Sequence, residues 1–178
     1  MLGKILLLSG AVLVLSAVCP SSCPKNQVVE IVSDTTTLVK GPIQPLLGPS
    51  TLVSYLHGAW TVRSYRGAQW ISDAPTTILD PVSGTNRFFY KTFNIECTPS
   101  QVKLGVSADN SFWTYVNGET TEAFSEATNH NVVRIYDLTR YFNIGENTIS
   151  FRVHNIAQPS GTYQNNPTGL IYMLNITI

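Results

Sequence analysis

Residues 89–118 read FYKTFNIECTPSQVKLGVSADNSFWTYVNG and predict three consecutive β-strands joined by two turns. The middle strand has the clearest pattern, because apolar residues alternate with polar or small ones, as in a strand with one face on a core. The apolar positions are Val102, Leu104, Val106 and Ala108. Pro99 with its Thr and Ser neighbours marks the first turn, and Asp109 with Asn110 marks the second. We therefore expect the second and third strands to form a hairpin.

The flanking strands follow a similar alternation. In the first, Phe89, Phe93 and Ile95 share one parity, and the aromatic and β-branched content favours a strand. In the third, the inward positions are Phe112, Thr114 and Val116, which places Trp113 and Tyr115 on the opposite face. That strand ends at Asn117-Gly118, a pair typical of a type I′ turn.

Four segments together resemble a known domain: FFYKTFNI, VSADNSFWTYVNG, IYDLTRYFNIGENTISFRVHN and GLIYMLNITI. In this order and spacing they are similar to the galactose-binding-like β-sandwich, a jelly roll found as an accessory domain in rhamnosidase-type and β-galactosidase-type glycoside hydrolases. The resemblance covers Gln69–Ile178 and implies an all-β, antiparallel sandwich. It also implies a structural role for Trp70 in the segment AQWI. This fold hosts several functions, so the function depends on a site.

The composition suits one exported all-β domain. The chain has 178 residues, 43% of them hydrophobic and 12% charged, with a formal net charge of zero and no cluster of Lys and Arg. A basic face is expected of a nucleic-acid-binding protein, so nucleic acid is not an expected partner. Residues 1–18 have one early Lys followed by an apolar run, the pattern of a signal peptide or an uncleaved signal anchor. We expect a secreted or extracellular protein that contacts a membrane only through that segment, if it is retained.

The three cysteines are Cys19, Cys23 and Cys97. Export permits disulfides, and loss of Cys19 by cleavage would leave Cys23 and Cys97 as a candidate pair. If Cys19 is retained, one thiol is left for an intermolecular bond. The alternative is that Cys97 is a buried free thiol.

The chain divides into the N-terminal segment 1–18, an arm at 19–52 and a sandwich at 53–178. Lys25–Val39 predicts a single strand, and the Pro-rich part of the arm, from Lys40, predicts an extended connection. Two polar stretches, Asp73–Asn86 and Glu119–Asn131, are expected to be surface loops. Further strands are expected at Val132–Leu138, at 149–154 with inward Ile149, Phe151 and Val153, and at 170–178. No stretch has a sustained helical period.

Catalytic and metal-binding patterns are weak. The eleven acidic residues form no obvious pair of the kind a glycosidase needs, and nothing brings His57, His130 or His154 close to Cys97. We therefore expect no enzyme activity and no cofactor. Structural calcium is common in the domains that the chain resembles, but no dense ligand run assigns it to Asp73, Asp80, Asp109 or Asp137. Asn175-Ile176-Thr177 matches a glycosylation acceptor, although it falls within a predicted strand.

The strongest chemical pattern is a candidate sugar platform. Sugar faces stack on aromatic rings and sugar hydroxyls bind polar side chains. Trp113 and Tyr115 face outward, as do Arg152 and His154 on a later strand, and a loop adds Tyr163, Asn165 and Asn166. The alternative is that the Pro-rich arm, residues 41–52, covers the two aromatic rings in a second small core.

Two functions follow from these patterns. The first is a secreted, non-catalytic, lectin-like module that binds glycans or glycosylated partners at a loop end or a sheet face. The second is a structural subunit of a coat, filament or virion surface that binds other protein chains or copies of itself, since Trp, Tyr and Arg dominate such contacts. They differ in one respect: a sugar site should tolerate removal of residues 25–52, whereas an assembly subunit should lose its partner.

Overall fold

The computed structural model describes residues 23–54, 56–75, 84–126, 129–156 and 166–178. These residues form strands and one 3-10 turn at Thr139–Tyr141, and no segment among them is a helix long and apolar enough to cross a membrane. The first six strands are β1 (Val28–Val32), β2 (Leu38–Lys40), β3 (Gly48–Pro49), β4 (Thr51–Leu52), β5 (Ile71–Ser72) and β6 (Thr85–Ile95). The remaining six are β7 (Gln101–Asp109), β8 (Ser111–Val116), β9 (Glu119–Ser125), β10 (Arg134–Asp137), β11 (Gly145–Asn155) and β12 (Gly169–Thr177).

The strands form two antiparallel sheets. Sheet A has the order β10-β7-β12-β5-β4, with β1 also paired to β12, and sheet B has the order β3-β2-β6-β11-β8-β9. Strands β5 to β12 therefore follow the eight-stranded jelly-roll order, β5-β12-β7-β10 facing β6-β11-β8-β9. The predicted all-β sandwich is confirmed.

The core lies between the sheets and is built by strand alternation. In β7, β8 and β11 every apolar position predicted to face inward is buried, and the residues between them on β8 and β11 face out. The largest inward side chains include Phe89, Phe112, Phe151, Tyr172 and Leu104, each at most 1% exposed. Alternation in the sequence was therefore a sound guide to which side of each strand is buried.

The predicted hairpin between the second and third strands of residues 89–118 is wrong. β6 and β8 belong to sheet B, whereas β7 lies in sheet A between β10 and β12. Asp109-Asn110 carries the chain across the sandwich from one sheet to the other. Alternation records which side of a strand is buried, but two strands that face each other across a core have the same alternation as two that lie side by side.

The hairpin at Asn117-Gly118 is present, between β8 and β9. Asn117 and Gly118 have φ values of 51° and 83°, as a type I′ turn requires, and Val116 pairs with Glu119. The surface loop predicted for Glu119–Asn131 is therefore wrong for its first part, because residues 119–125 form strand β9 after this turn. Thr121 and Ala123 are buried on its inner side.

The single strand expected over Lys25–Val39 is also wrong, since β1 belongs to sheet A and β2 to sheet B. The break is a turn at Asp34, whose side-chain carboxylate accepts hydrogen bonds from the backbone N–H and the hydroxyl of Thr36. A short polar side chain that binds the backbone two residues on favours a turn over a continuous strand.

Residues 28–52, which the sequence marks as an arm, contribute β1 to β4 to the two sheets. β1 pairs with β12, and β2 pairs with β6. Cys23 and Cys97 are joined by a disulfide with a Cα–Cα distance of 5.8 Å. The predicted signal segment and Cys19 lie outside the described residues.

A second, smaller core covers part of the outer face of sheet A. The indole rings of Trp60 and Trp70 stack with centroids 4.1 Å apart, and they pack with Ala68 against Ile171 and Met173. Trp70 therefore has the structural role that was expected of it. The outer face of sheet B carries the outward aromatic side chains of β6, β8 and β9.

Candidate functional site

Strand register arranges the outward side chains of sheet B in cross-strand rows. On β8 and β11 and over residues 86–90 of β6, outward residues alternate with inward ones, so the pleat directs their side chains away from the core. What we call the aromatic-cation row runs across five strands through Phe124, Trp113, Arg152, Phe88 and Lys40. At about 4.8 Å per strand it is about 20 Å long.

Two further rows lie beside it. The tyrosine row contains Thr120, Tyr115, Ser150, Tyr90 and Leu38. It lies one outward position along from the first row on four strands and two positions along on β9, where the register shifts and the outward Glu122 lies between Phe124 and Thr120. The histidine row, on the other side, contains Ser111, His154 and Asn86. Exposed Glu126, directly after β9, lies beside Ser111, whose hydroxyl donates to the Glu126 carbonyl. Aromatic rings and polar groups thus alternate over one continuous sheet face, which is the composition of a surface that binds a ring with hydroxyl groups.

The centre of this face is a contact between Arg152 and Trp113. The guanidinium carbon lies 3.8 Å from the centroid of the indole ring, a cation-π geometry. This contact covers one face of the indole, so a ligand would reach Trp113 at its other face or its edge. The Arg152 Nε is buried and has no hydrogen-bond partner among the described residues.

The remaining predicted residue on this face is His154, which lies against Gly84. A Cβ at Gly84 would be 3.0 Å from the imidazole Cε1, so the absence of a side chain there makes room for the ring. Four of the predicted candidates, Trp113, Tyr115, Arg152 and His154, are therefore neighbours on one surface. The alternative cover is not present over them, because β2 and β3 extend the opposite edge of sheet B and β11 and β6 lie between.

The three candidates in the loop before β12 are not part of this surface as the structure describes it. Tyr163 and Asn165 lie outside the described residues. Asn166 is 6% exposed, its side-chain amide donates to the Ile156 carbonyl at 3.1 Å, and its own carbonyl accepts from Asn155. These contacts show that Asn166 holds adjacent backbone together.

A second polar cluster lies where β7 crosses to β8. The Asp109 carboxylate accepts hydrogen bonds from the Trp60 indole N–H at 2.7 Å and the Asn110 amide at 2.5 Å, and the His130 Nδ1 lies 3.4 Å away. Burial raises the pKa of Asp109, against the opposing effects of Trp60, His130 and His57. The Asp109 carbonyl also accepts from the Thr168 hydroxyl. Since Asp109 is only 5% exposed, this cluster joins elements of the fold and does not face solvent.

The other candidate acidic residues have structural partners. Asp73 forms a fully buried ion pair with Arg87, 2.6 Å between Oδ1 and Nε, and accepts from the Ile43 N–H. Asp137 accepts two hydrogen bonds from Thr139, the first cause of its lowered pKa. Asp80 lies outside the described residues. Within the ranges that the structure describes, no three His, Cys, Asp or Glu residues are placed to hold a metal ion.

The structure places two further sequence candidates, Cys97 and Asn175. Cys97 is in a disulfide, so it is neither a buried free thiol nor a nucleophile for a Cys-His set. Asn175 lies within β12 on the outward side of sheet A, in register with Lys103 and Glu30. It is partly buried.

Sequence reasoning missed the four other aromatic or charged members of the aromatic-cation and tyrosine rows: Phe88, Tyr90, Lys40 and Phe124. The signal for the first two was present in FFYKTF, because Phe88 and Tyr90 have the parity opposite to the inward Phe89. Their position beside Arg152 and Ser150 depends on the pairing of β6 with β11. The register between β6 and β11 cannot be read from the sequence of a single protein.

No protein-family model matches the chain, and no curated protein matches it in sequence. Solved structures similar to it include an FMN-binding β-glucuronidase from Facaelibacterium prausnitzii L2-6, with a TM-score of 0.48 and 16% identity over 84% of this chain and 23% of that one. An α-L-rhamnosidase from Streptomyces avermitilis gives a TM-score of 0.43 and 19% identity over 80% of this chain and 12% of that one.

A family 35 carbohydrate binding module from Clostridium thermocellum gives a TM-score of 0.43 and 9% identity over 84% of this chain and 99% of that one. The chain thus spans about a quarter of the β-glucuronidase that it matches and nearly all of this module. A rhamnosidase is among the enzyme types whose domains the sequence resembles. These likenesses say nothing of ligand or activity, and the jelly-roll sandwich of this chain is established by its own two sheets.

Proposed function

We propose that the chain is a non-catalytic carbohydrate-binding β-sandwich that acts outside the cell, and that its glycan lies across the outer face of sheet B. The observation that carries the proposal is the row arrangement, in which aromatic rings on neighbouring strands alternate with hydrogen-bonding side chains. An open sheet face about five strands wide suits an extended ligand better than a small enclosed one. The Arg152–Trp113 stack holds two of the largest side chains in fixed orientations, which lowers the entropy lost on binding.

The first experiment is a glycan-array screen of the purified chain, followed by titration of any bound glycan with Trp113→Ala and Tyr115→Ala variants. We expect each variant to bind at least tenfold more weakly, about 1.4 kcal/mol, because stacking area is lost. Ile135→Ala is the matched control, since Ile135 is a 56% exposed apolar residue on sheet A. Circular dichroism confirms that each variant is folded. If both aromatic variants bind the glycan as tightly as the native protein does, the binding site is not on this face.

A second candidate function is favoured by one observation. Leu46 and Leu47, in the connection between β2 and β3, are 80% and 53% exposed, and they adjoin the strand that carries Lys40. Exposed apolar side chains beside an aromatic face suit contact with another protein chain. Deletion of residues 25–52 cannot test this, because it would remove β1 to β4. The sharper test is a Leu46→Asp/Leu47→Asp variant in sedimentation analysis: dissociation of an oligomer would favour assembly, and an unchanged monomer with retained glycan binding would favour the sugar site.

A further inference from the structure

We propose that an extended segment of another protein adds as a strand to sheet B, beside residues 92–95 of β6, and that it has apolar side chains at alternate positions and a basic residue at its end. This interaction goes beyond the proposed glycan site and does not depend on it. The end of β6 has a strand on one side only: β11 pairs with β6 from Thr85 to Ile95, whereas β2 pairs only with Phe88–Tyr90. We call the space beside residues 92–95 the strand gap.

Hydrogen bonding on β11 shows which backbone groups of β6 face the strand gap. The Thr148 carbonyl accepts from the Asn117 N–H at the end of β8. Backbone groups alternate along an antiparallel strand, so the even-numbered residues of β11 bond to β8 and the odd-numbered ones to β6. Thr92 and Asn94 lie opposite even-numbered residues, so their N–H and carbonyl groups point into the strand gap. Within the described residues, no other backbone group bonds to them.

Sheet A has an open edge on the same side of the sandwich. Among the described strands, β1 pairs only with β12. A cavity of about 330 Å³ lies between the end of β6 and the start of β1, and its apolar walls include Val29, Ile95, Ile176 and Ile178. An added strand gains affinity from backbone hydrogen bonds and specificity from a cavity that accepts alternate side chains. The strand gap supplies both.

The core is less completely covered beside the strand gap than elsewhere. Val29, Ile31, Phe93 and Ile178 pack against the main core but are only partly buried, whereas every fully packed member of that core is at most 5% exposed. These four residues lie on β1, on β6 and directly after β12. An apolar strand over them would remove their exposed surface from water, which favours binding.

Charge defines the partner further. Lys91, at one end of the strand gap, is paired with Asp34, 3.1 Å between Nζ and Oδ1. The exposed charged residues that border the gap are Glu30, Glu96, Glu146 and Lys25. None of these three acids is in an ion pair within the described ranges. The border is therefore acidic on balance, and a basic residue on the added strand is favoured over an acidic one.

The first test compares three synthetic peptides with blocked ends: KVTVTVK, the non-alternating KVVVTTK of the same composition, and EVTVTVE. Binding to the full chain is measured by calorimetry. We expect KVTVTVK to bind at least tenfold more tightly than KVVVTTK, because only alternation places every Val on one side of a strand. EVTVTVE should bind more weakly than KVTVTVK, with a difference that shrinks in high salt. Equal binding by the alternating and non-alternating peptides, or by the Lys and Glu peptides, would overturn the inference.

Amide hydrogen exchange measured by NMR locates the peptide. In the free protein, the amides of Phe93 and Ile95 should be protected by β11, whereas those of Thr92 and Asn94 should exchange fast. Bound KVTVTVK should slow exchange at Thr92 and Asn94 at least tenfold. Unchanged exchange at these two residues with the peptide bound would place it elsewhere and overturn the inference.

A matched pair of variants tests the backbone contact. Asn94→Pro removes an N–H that points into the strand gap and that the ladder with β11 does not use, so peptide binding should fall at least tenfold. Asn94→Ala keeps the N–H and should bind as the native protein does. Equal binding by the two variants would contradict the inference. If Asn94→Pro does not fold by circular dichroism, Val29→Phe, which fills part of the cavity, should weaken binding in its place.

Other occupants of the strand gap give different results. If Thr92 and Asn94 are already protected without peptide and lose protection on dilution, a second copy of the chain occupies the gap. If that protection does not change on dilution, another part of the same chain occupies it. Either result would overturn the inference.

Discussion

Asp109 is the residue that joins the two layers and both cores. Its carboxylate holds the Trp60 indole of the small core, and its backbone belongs to the crossing from β7 to β8. Burial raises the pKa of this carboxyl group above its ordinary value, so the folded protein holds the proton more tightly than the unfolded chain does. The stabilising effect of that proton is present in full below the unfolded pKa and is lost as the pH rises through the folded pKa.

We predict that Asp109→Asn reduces the loss of unfolding free energy that the native protein shows as the pH rises through the pKa of Asp109. An amide oxygen can still accept from Trp60, but it does not titrate, so the unfolding free energy of the variant should fall less than that of the native protein as the pH rises above about 4, the ordinary value for Asp. Chemical denaturation across that range measures the effect. Asp137→Asn is a control, because Asp137 is exposed and its pKa is shifted downward. A parallel pH profile for Asp109→Asn and the native protein would contradict the prediction.

At the scale of elements, the hairpin of β8 and β9 depends on backbone geometry at its turn. Gly118 has a φ of 83°, and a Cβ added there would meet no atom within 4 Å. Any cost of a side chain at Gly118 therefore comes from backbone conformation and not from a clash. Asn117 adds hydrogen bonds to this end of sheet B, since its amide donates to the Asn147 side chain and its oxygen accepts from the Thr148 N–H.

We expect Gly118→Ala to lower the unfolding free energy by about 1 kcal/mol or more, because the native φ is unfavourable for a residue with a Cβ. Gly58→Ala supplies a matched comparison: its added Cβ also meets nothing within 4 Å, and its φ is not positive. Urea denaturation of both variants measures the difference. Equal stabilities for the two variants would show that the turn conformation is not limiting.

Sequence reasoning predicted the strands and their buried sides far better than their pairing. The alternation at Val102 to Ala108 and the Asn117-Gly118 turn depend on local chemistry, and both are present as expected. The inward Arg87 could not have been foreseen, because a buried Arg beside Phe89 needs polar partners, and the ion-pair partner Asp73 lies fourteen residues earlier. The cross-strand rows likewise depend on which strands are neighbours, and that is decided by packing of the whole chain.

For the whole molecule, the Cys23–Cys97 disulfide ties the segment before β1 to the segment after β6, over a sequence separation of 74. A cross-link of that span reduces the conformational entropy of the unfolded chain by an amount worth about 4 kcal/mol in the loop-closure treatment. We predict that a Cys23→Ser/Cys97→Ser variant loses stability of this order, measured as unfolding free energy. Reduction of the native protein should reproduce the loss, and adding reductant to the variant should do nothing further. A variant as stable as the oxidised protein would contradict the prediction.

Strand β12 pairs with β7 along one side and with β1 and β5 along the other. It follows all three partners in the sequence, so the centre of sheet A is the last part of that sheet to leave the ribosome. Until residues 169–177 are available, β1, β5 and β7 have no common neighbour, and the apolar sides of both sheets stay without a complete partner layer. Pairings between distant parts of a chain also close slowly. Folding of this domain is therefore expected to follow synthesis of β12 and not to accompany the growth of the chain.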